Sequence, residues 1–322
     1  MPFITVIYGI AVILVVFGHS HPLHIASPAF MNQITKFIYT FHMPLFFLVS
    51  GILIAYTAEG RNIKQWWIKK VIKLGVPYVV LSVLAWFPKI LLSEYMNDNM
   101  EVTIQNIVRI CFIPRENIWG HFWFIPVYLI ISLLCAMLWR WGEEKINVKI
   151  ICGAVALFFN IVPLKIAWLG VEDITENLFY MVMGLYISKD ITKNHSQNFK
   201  ISNGITAVIV AGFIFKMYHS VLYMDKIVCL IMLYAVLNIA AGISRYPLQI
   251  INYLGRHAFV IYIYSWPIQV VLELILVVVL KVNWLFCYIV MFAGGLAGPL
   301  LIYYMYNRWF PKSKFLNRMI GV

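Results

Sequence analysis

The chain has 322 residues, 62% of them hydrophobic and only 12% charged, with a mean hydropathy of +0.84. A water-soluble domain is about half apolar and about one quarter charged, so this composition excludes one and points to an integral membrane protein. The net charge of +12 reads as a topology signal and an attraction to anionic lipid, and no nucleic-acid partner is expected.

Continuous apolar runs of about the length that crosses a bilayer as helix occur at 3–20, 37–57, 71–92, 121–141, 148–165, 174–188, 204–219, 225–243, 257–280 and 284–309. None alternates with the period of two that a membrane barrel requires. The fold expected is all-α, a bundle of about ten transmembrane helices forming a single domain over 1–322. The first run lacks a basic leader and a prompt small-residue cleavage site, so it reads as a retained helix and not a secretory signal. With the N-terminus in the cytoplasm, the larger share of the 25 Lys and Arg falls inside, in 61–73, 140–149, 189–200, 245–256 and the tail. That bias predicts both termini cytoplasmic and an even number of spans. The five cysteines show no CxxC spacing and no disulfide framework.

The first span, YGIAVILVVFGHS, ends on His19. An imidazole at the mouth of a membrane helix is either an interfacial group bonded to a carbonyl or water, or a group that moves protons near neutral pH. Tyr8 lies eleven residues earlier, within about 20° of the same face and roughly 16 Å away along the axis. His21 and His24 follow in the loop. HxHxxH matches no zinc spacing and no carboxylate or Cys completes it, so no metal is assigned.

The second span opens FHMPLFFLVSG, with His42 near its outer boundary and the small pair Ser50-Gly51, which permits close helix approach. The third is preceded by WWIKKVIKLGVPYVV, where Lys69 and Lys73 share a helix face beside Lys70. That basic segment is a membrane–water boundary or a phosphate clamp. HFWFIPVYLI begins the fourth span and brings a third outer-end histidine, His121, beside Trp123. In YLGRHAFVIYIYSWPIQVVLEL, Arg256 and His257 mark a cytoplasmic helix start and Pro267 is placed to kink the span. Glu273, the one carboxylate well inside an apolar run, reads either as an interior functional acid or as a side chain reaching headgroup water.

The order of these strings resembles the membrane acyltransferase type 3 family, which places acetyl and similar groups on extracytoplasmic glycans. GIAVILVVFGHS, FHMPLFFLVSG, WWIKKVIKLGVPYVV, HFWFIPVYL, FYMVMGLYISK and YLGRHAFVIYIYSWPI follow in family order almost end to end. The FHMPLFFLVSG form is similar to the branch of fucose-type sugar acetylases. The resemblance implies acetyl-CoA (an acyl-CoA) as cytoplasmic donor and a sugar hydroxyl of a polysaccharide or lipid-linked glycan as acceptor, in a bacterial inner membrane. His19 matches the catalytic histidine as general base, with His42 or His121 orienting it or serving the oxyanion. The alternative route is acyl transfer through His19 or Ser50 as a covalent relay. Lys69, Lys70 and Lys73 match a basic stretch suited to coenzyme A phosphates. The family's first helix usually carries Arg or Lys where this chain has Tyr8, which is thereby assigned to the donor site. Two other readings stand beside this one: a transporter or flippase of a lipid-linked saccharide, and a catalytically degenerate family member.

Overall fold

The computed structural model describes residues 2–87, 103, 109, 112–142, 145–246, 248–310, 313 and 317. The end of the third expected span (88–92), most of the 93–118 loop with Cys111, and Lys312, Lys314 and Arg318 of the tail lie outside the described residues. Among the described residues there is helix and no strand.

The α-helices, in chain order, are α1 (Pro2–His19), α2 (Ala29–Tyr39), α3 (His42–Thr57), α4 (Ile63–Leu84), α5 (Phe124–Gly142) and α6 (Ile146–Ile161). There follow α7 (Val171–Asn198), α8 (Ile201–Tyr218), α9 (Met224–Ile243), α10 (Gln249–Arg256), α11 (Ala258–Glu273) and α12 (Trp284–Trp309). Among the described residues, seven helical stretches are long and apolar enough to cross a membrane: Pro2–His19, Ala29–Thr57, Gly120–Gly142, Ile201–Tyr218, Met224–Ile243, Ala258–Val279 and Trp284–Trp309. The protein is therefore read as a multi-pass membrane protein. The remaining three expected spans are also helical, but each departs from a simple crossing. α4 carries Lys64, Lys69, Lys70 and Lys73, α6 has only 16 residues, and α7 runs 28 residues with Glu172, Asp173 and Glu176 in its first turns.

The chain packs as two compact units, residues 1–49 with 187–302 and residues 50–186 with 303–322. In the first, α1 is the common wall for α9, α10 and α11. α1 and α10 touch backbone to backbone: a Cβ added at Gly9 would collide with the Ile251 carbonyl, and one at Gly255 with the Thr5 carbonyl. Helices in lipid gain most from such close contact, because burial of apolar surface no longer separates packed from unpacked states. α1 ends where Ser20 Oγ turns back to donate to the Val16 carbonyl at 2.6 Å and Pro22 forbids a further turn. α8 and α9 form a hairpin whose entry is tied by buried Asn238. Its Oδ1 accepts from the Lys200 amide at 3.0 Å while its Nδ2 donates to the Tyr234 carbonyl at 2.9 Å.

In the second unit α4 lies along α5, with the Trp67 indole donating to the Leu129 carbonyl at 3.1 Å. The small Ser50-Gly51 pair acts as its composition predicts, since a Cβ at Gly51 would enter the Met181 carbonyl. Cys135 in this unit, and Cys229 and Cys287 in the first, are buried and form no disulfide.

The seam gives a stability test. Gly255→Ala is expected to lower the thermal unfolding midpoint of the purified protein, since backbone has to move. Gly212→Ala, where an added Cβ meets nothing within 4 Å, is expected to leave it unchanged or raise it, Ala being the better helix former by about 1 kcal/mol. Equal midpoints for the two variants would remove the seam as the anchor of α1.

Candidate functional site

His19 is the last residue of α1 and is half-buried. Its ring meets the edge of Trp266 from α11 at a centroid distance of 4.5 Å and lies 5.9 Å from Tyr39 at the end of α2. Tyr39 Oη donates to the Gly18 carbonyl at 3.0 Å, and the same oxygen stands 3.5 Å from His19 Nδ1. A phenol that gives its one proton to a carbonyl has only lone pairs left for a second neighbour. That contact favours the neutral His19 tautomer with its proton on Nδ1 and its lone pair on Nε2.

These groups line a cavity of about 90 Å³, with His19, Tyr39 and Trp266 on one part of its wall and His21, Gln269 and Glu273 on another. Gln269 is buried; its Nε2 donates to the Val16 carbonyl at 3.0 Å and to Ser20 Oγ at 2.9 Å, which fixes the end of α1 against α11. Glu273, also buried, does not reach for headgroup water. One carboxylate oxygen accepts from the Leu23 amide at 2.5 Å, the His24 amide at 2.9 Å and His24 Nδ1 at 2.8 Å. The acid therefore latches the loop after His19 to the end of α11, just where that helix widens into the π-turn Leu274–Val279.

The two loop histidines diverge. His24 goes to Glu273, whereas His21 Nδ1 shares Ser27 Oγ at 2.7 Å with the Trp284 indole, which donates to the same oxygen at 2.9 Å. Burial pushes the His21 imidazole below its ordinary value, opposed by a weaker contribution from the Met31 backbone. Among the described residues no group of three His, Cys, Asp or Glu is placed to hold a metal.

Other sequence candidates fall into separate settings. His42, buried at the start of α3, donates from Nδ1 to the Ile38 carbonyl at 3.1 Å, and its ring lies 4.9 Å from Tyr39. Tyr39 therefore stands between His19 and His42. Tyr8 is half-buried on the His19 stripe, with its ring 6.0 Å from Phe46.

In the second unit, Lys70 turns inward over the Trp66 and Tyr128 rings, at 4.3 and 4.8 Å, and donates to Tyr128 Oη at 2.9 Å. Buried Ser50 is hydrogen-bonded to the same Tyr128, so Tyr128 links Lys70 to Ser50. Lys69 and Lys73 are exposed on another face, so the three lysines do not converge. His121 is buried in the 3₁₀ turn Gly120–Trp123, against Phe122 at 4.7 Å. Its elbow is pinned by Arg115, which lies 4.1 Å over Trp123 and grips buried Asp173 with both Nε and Nη2.

Sequence reasoning missed Tyr39, Trp266, Gln269 and Tyr128. Gln269 offered a signal, being a buried-type amide one turn before Glu273 in an apolar run. The aromatic residues offered none beyond the usual interfacial belt.

A family profile described as an acyltransferase domain matches residues 1–304, across both units. The chain is also similar to proteins named glucans biosynthesis protein C from Salmonella paratyphi B, Salmonella heidelberg and Salmonella enteritidis. In each case the two are 25% identical over 130 residues, 39% of this chain and 34% of the relative. The matched stretch is thus about one third of those relatives' length. No solved structure matches the chain.

Glu273→Ala tests the latch. Removing a charged acceptor from two backbone amides costs about 1.5–3 kcal/mol per bond. Hydrogen exchange at Leu23 and His24 is therefore expected to accelerate at least tenfold, with α8 and α9 unchanged. Unaltered exchange in the loop would refute the latch.

Proposed function

The chain belongs to the acyltransferase family matched over residues 1–304, and from that premise we propose that it is a membrane O-acyltransferase. It moves an acetyl or similar acyl group from cytoplasmic acyl-CoA to a sugar hydroxyl of an extracytoplasmic polysaccharide or lipid-linked glycan, with both chain termini cytoplasmic in a bacterial inner membrane. The glucan named in its relatives supports a polysaccharide acceptor, and the FHMPLFFLVSG segment supports a sugar acetylase of the fucose-type branch.

The observation that carries the reading is His19 at the cavity, with Nδ1 turned to the Tyr39 hydroxyl. A sugar hydroxyl is a poor nucleophile until a base removes its proton in the transition state. In the reaction, the hydroxyl oxygen attacks the thioester carbonyl as Nε2 takes the proton. The tetrahedral intermediate then expels the thiolate, which recovers that proton from the imidazolium to leave as the free thiol. Atoms and charge balance, and no metal is required. Tyr39 accepts from Nδ1 throughout and so keeps the ring in one tautomer. Trp266 and Tyr39 flank the imidazole and limit its rotation. Ser50, held by Tyr128 in the second unit, is the alternative nucleophile for a covalent relay.

The test is mass spectrometry of surface glycans from cells carrying the wild-type gene, no gene, or variants. The wild type is expected to add one acetyl mass. His19→Ala is expected to lose about 10²–10⁴-fold in transfer rate with unchanged membrane abundance. Acetylation persisting at the wild-type rate in His19→Ala would sink the mechanism. Tyr39→Phe is expected to fold normally, lower the rate by a smaller factor and shift the acid limb of the pH–rate profile, because the group that orients His19 is gone. An unmoved profile would remove Tyr39 from the site.

A further inference from the structure

A second, larger cavity in the first unit lies at the other end of α1. It has a volume of about 760 Å³ and is lined by Pro2 and Thr5 of α1, by Gln249, Asn252 and Arg256 of α10, and by Leu300 of α12, among others. That is the size of a site for a substantial organic ligand. Its one charged wall residue is Arg256; no carboxylate lines it. The Arg256 guanidinium has neither an ion-pair nor a hydrogen-bond partner among the described residues, unlike Arg109 and Arg115, which both hold carboxylates. A guanidinium fork matches phosphate oxygens in pairs. Pro2 and Thr5 belong to the first turn of α1, whose unpaired amides add positive field. Arg256 also offsets the negative end of α10, where it sits. The basic cavity between Arg61 and Arg140 in the second unit, about 390 Å³, is a weaker candidate because Glu59 lines it as well.

We propose that this cavity holds the phosphate groups of the acyl donor, with Arg256 as their principal ligand, so that α1 connects donor recognition to the base. The inference rests on the acyl-CoA reading above. The spacing along α1 supports it. Thr5 of this cavity and His19 of the other are fourteen residues apart in one helix, about 21 Å. An extended phosphopantetheine arm, counted at the advance per bond of an extended chain, covers roughly 17 Å, and the thioester and acyl carbons lengthen it. Thr5, Tyr8 and His19 fall within a sector of about 60° on the helix, and all three are half-buried. Tyr8 lies on the same helical sector between Thr5 and His19, and an uncharged side chain there suits an amide-bearing arm. A separation of this length matches a donor whose phosphate and acyl group are joined by a long arm, and not one that joins them directly.

Coenzyme A and phosphate-free pantetheine, titrated by calorimetry into the full chain in phosphatidylcholine nanodiscs, test the assignment. Arg256→Gln is expected to weaken coenzyme A at least tenfold and leave pantetheine unchanged, with Arg256→Lys recovering part of the loss. Asn252→Ala provides a second variant on the same wall if Arg256→Gln unfolds, and is expected to weaken coenzyme A several-fold. Wild-type affinity in both folded variants would overturn the site while leaving the donor reading intact. Absence of coenzyme A binding to the wild type, or to His19→Ala and wild type alike, would overturn the donor reading and the site with it. If Arg256→Gln alters only affinity for phosphatidylglycerol added to the discs, the cavity is a lipid-headgroup site and the proposal falls.

Discussion

A helix among apolar neighbours in lipid gains little from burying its side chains, so its position has to be set by close backbone contact and by the few polar groups it can reach. α1 is set by both, one at each end. Near Thr5 and Gly9 it meets α10 at glycine, with no side chain between the two backbones. Near Val16 and Ser20 the Gln269 amide holds it to α11. The middle is packed by Val12, Val15 and Val16, which add contact but no direction. Rotation of α1 would break the amide clasp at one end and drive Gly255 out of register at the other. The orientation of His19 is therefore a consequence of two contacts made elsewhere on the helix.

The polar residues inside this apolar chain divide by what they do with their hydrogen bonds. Asn238, Gln269 and Glu273 are buried and reach backbone groups of another segment. An unmet polar group in hydrocarbon is costly, and each of these offsets that cost by fixing a segment in place. His19 differs: it is half-buried, lines a cavity, and has one nitrogen facing an acceptor oxygen. Glu273 was the acid that an intramembrane reading would have assigned to chemistry. With the Leu23 and His24 amides both on one of its oxygens, it acts on the wall of the site and not on the proton.

Most of the helices were legible in the sequence because continuous apolar length is a strong and local signal. α2 and α10 were not, since Ala29–Tyr39 and Gln249–Arg256 are short and mix polar with apolar residues, as loops do. The run 257–280 reads as one span and is one, Ala258–Val279, with its helix widening into a π-turn after Glu273. For the site, His19 and its face shared with Tyr8 followed from helical spacing. The Glu273 latch and the Tyr39 contact did not. The first joins residues about 250 positions apart, and the second depends on how a short helix folds back onto Gly18. Separation of Lys70 from Lys69 and Lys73 was within reach, as adjacent helical residues diverge by about 100°. Which of them turns inward was decided by Trp66 and Tyr128, whose rings cover only one.

His42 illustrates how the structure changes the part assigned to a residue. Three outer-end histidines invite a shared proton network, but the His42 imidazole is buried and gives its Nδ1 proton to Ile38. That carbonyl belongs to the last turn of α2, one residue before Tyr39. The bond thus ties the first residue of α3 to the end of α2 across the two-residue connection Thr40–Phe41, and the His42 ring packs on Tyr39 itself. Tyr39 in turn is held through its own proton by Gly18, next to His19. His42 therefore fixes the junction of α2 and α3 and the ring against which Tyr39 packs. What it supplies is a ring of fixed shape and one donated proton, at a helix junction where the backbone leaves a carbonyl to be satisfied.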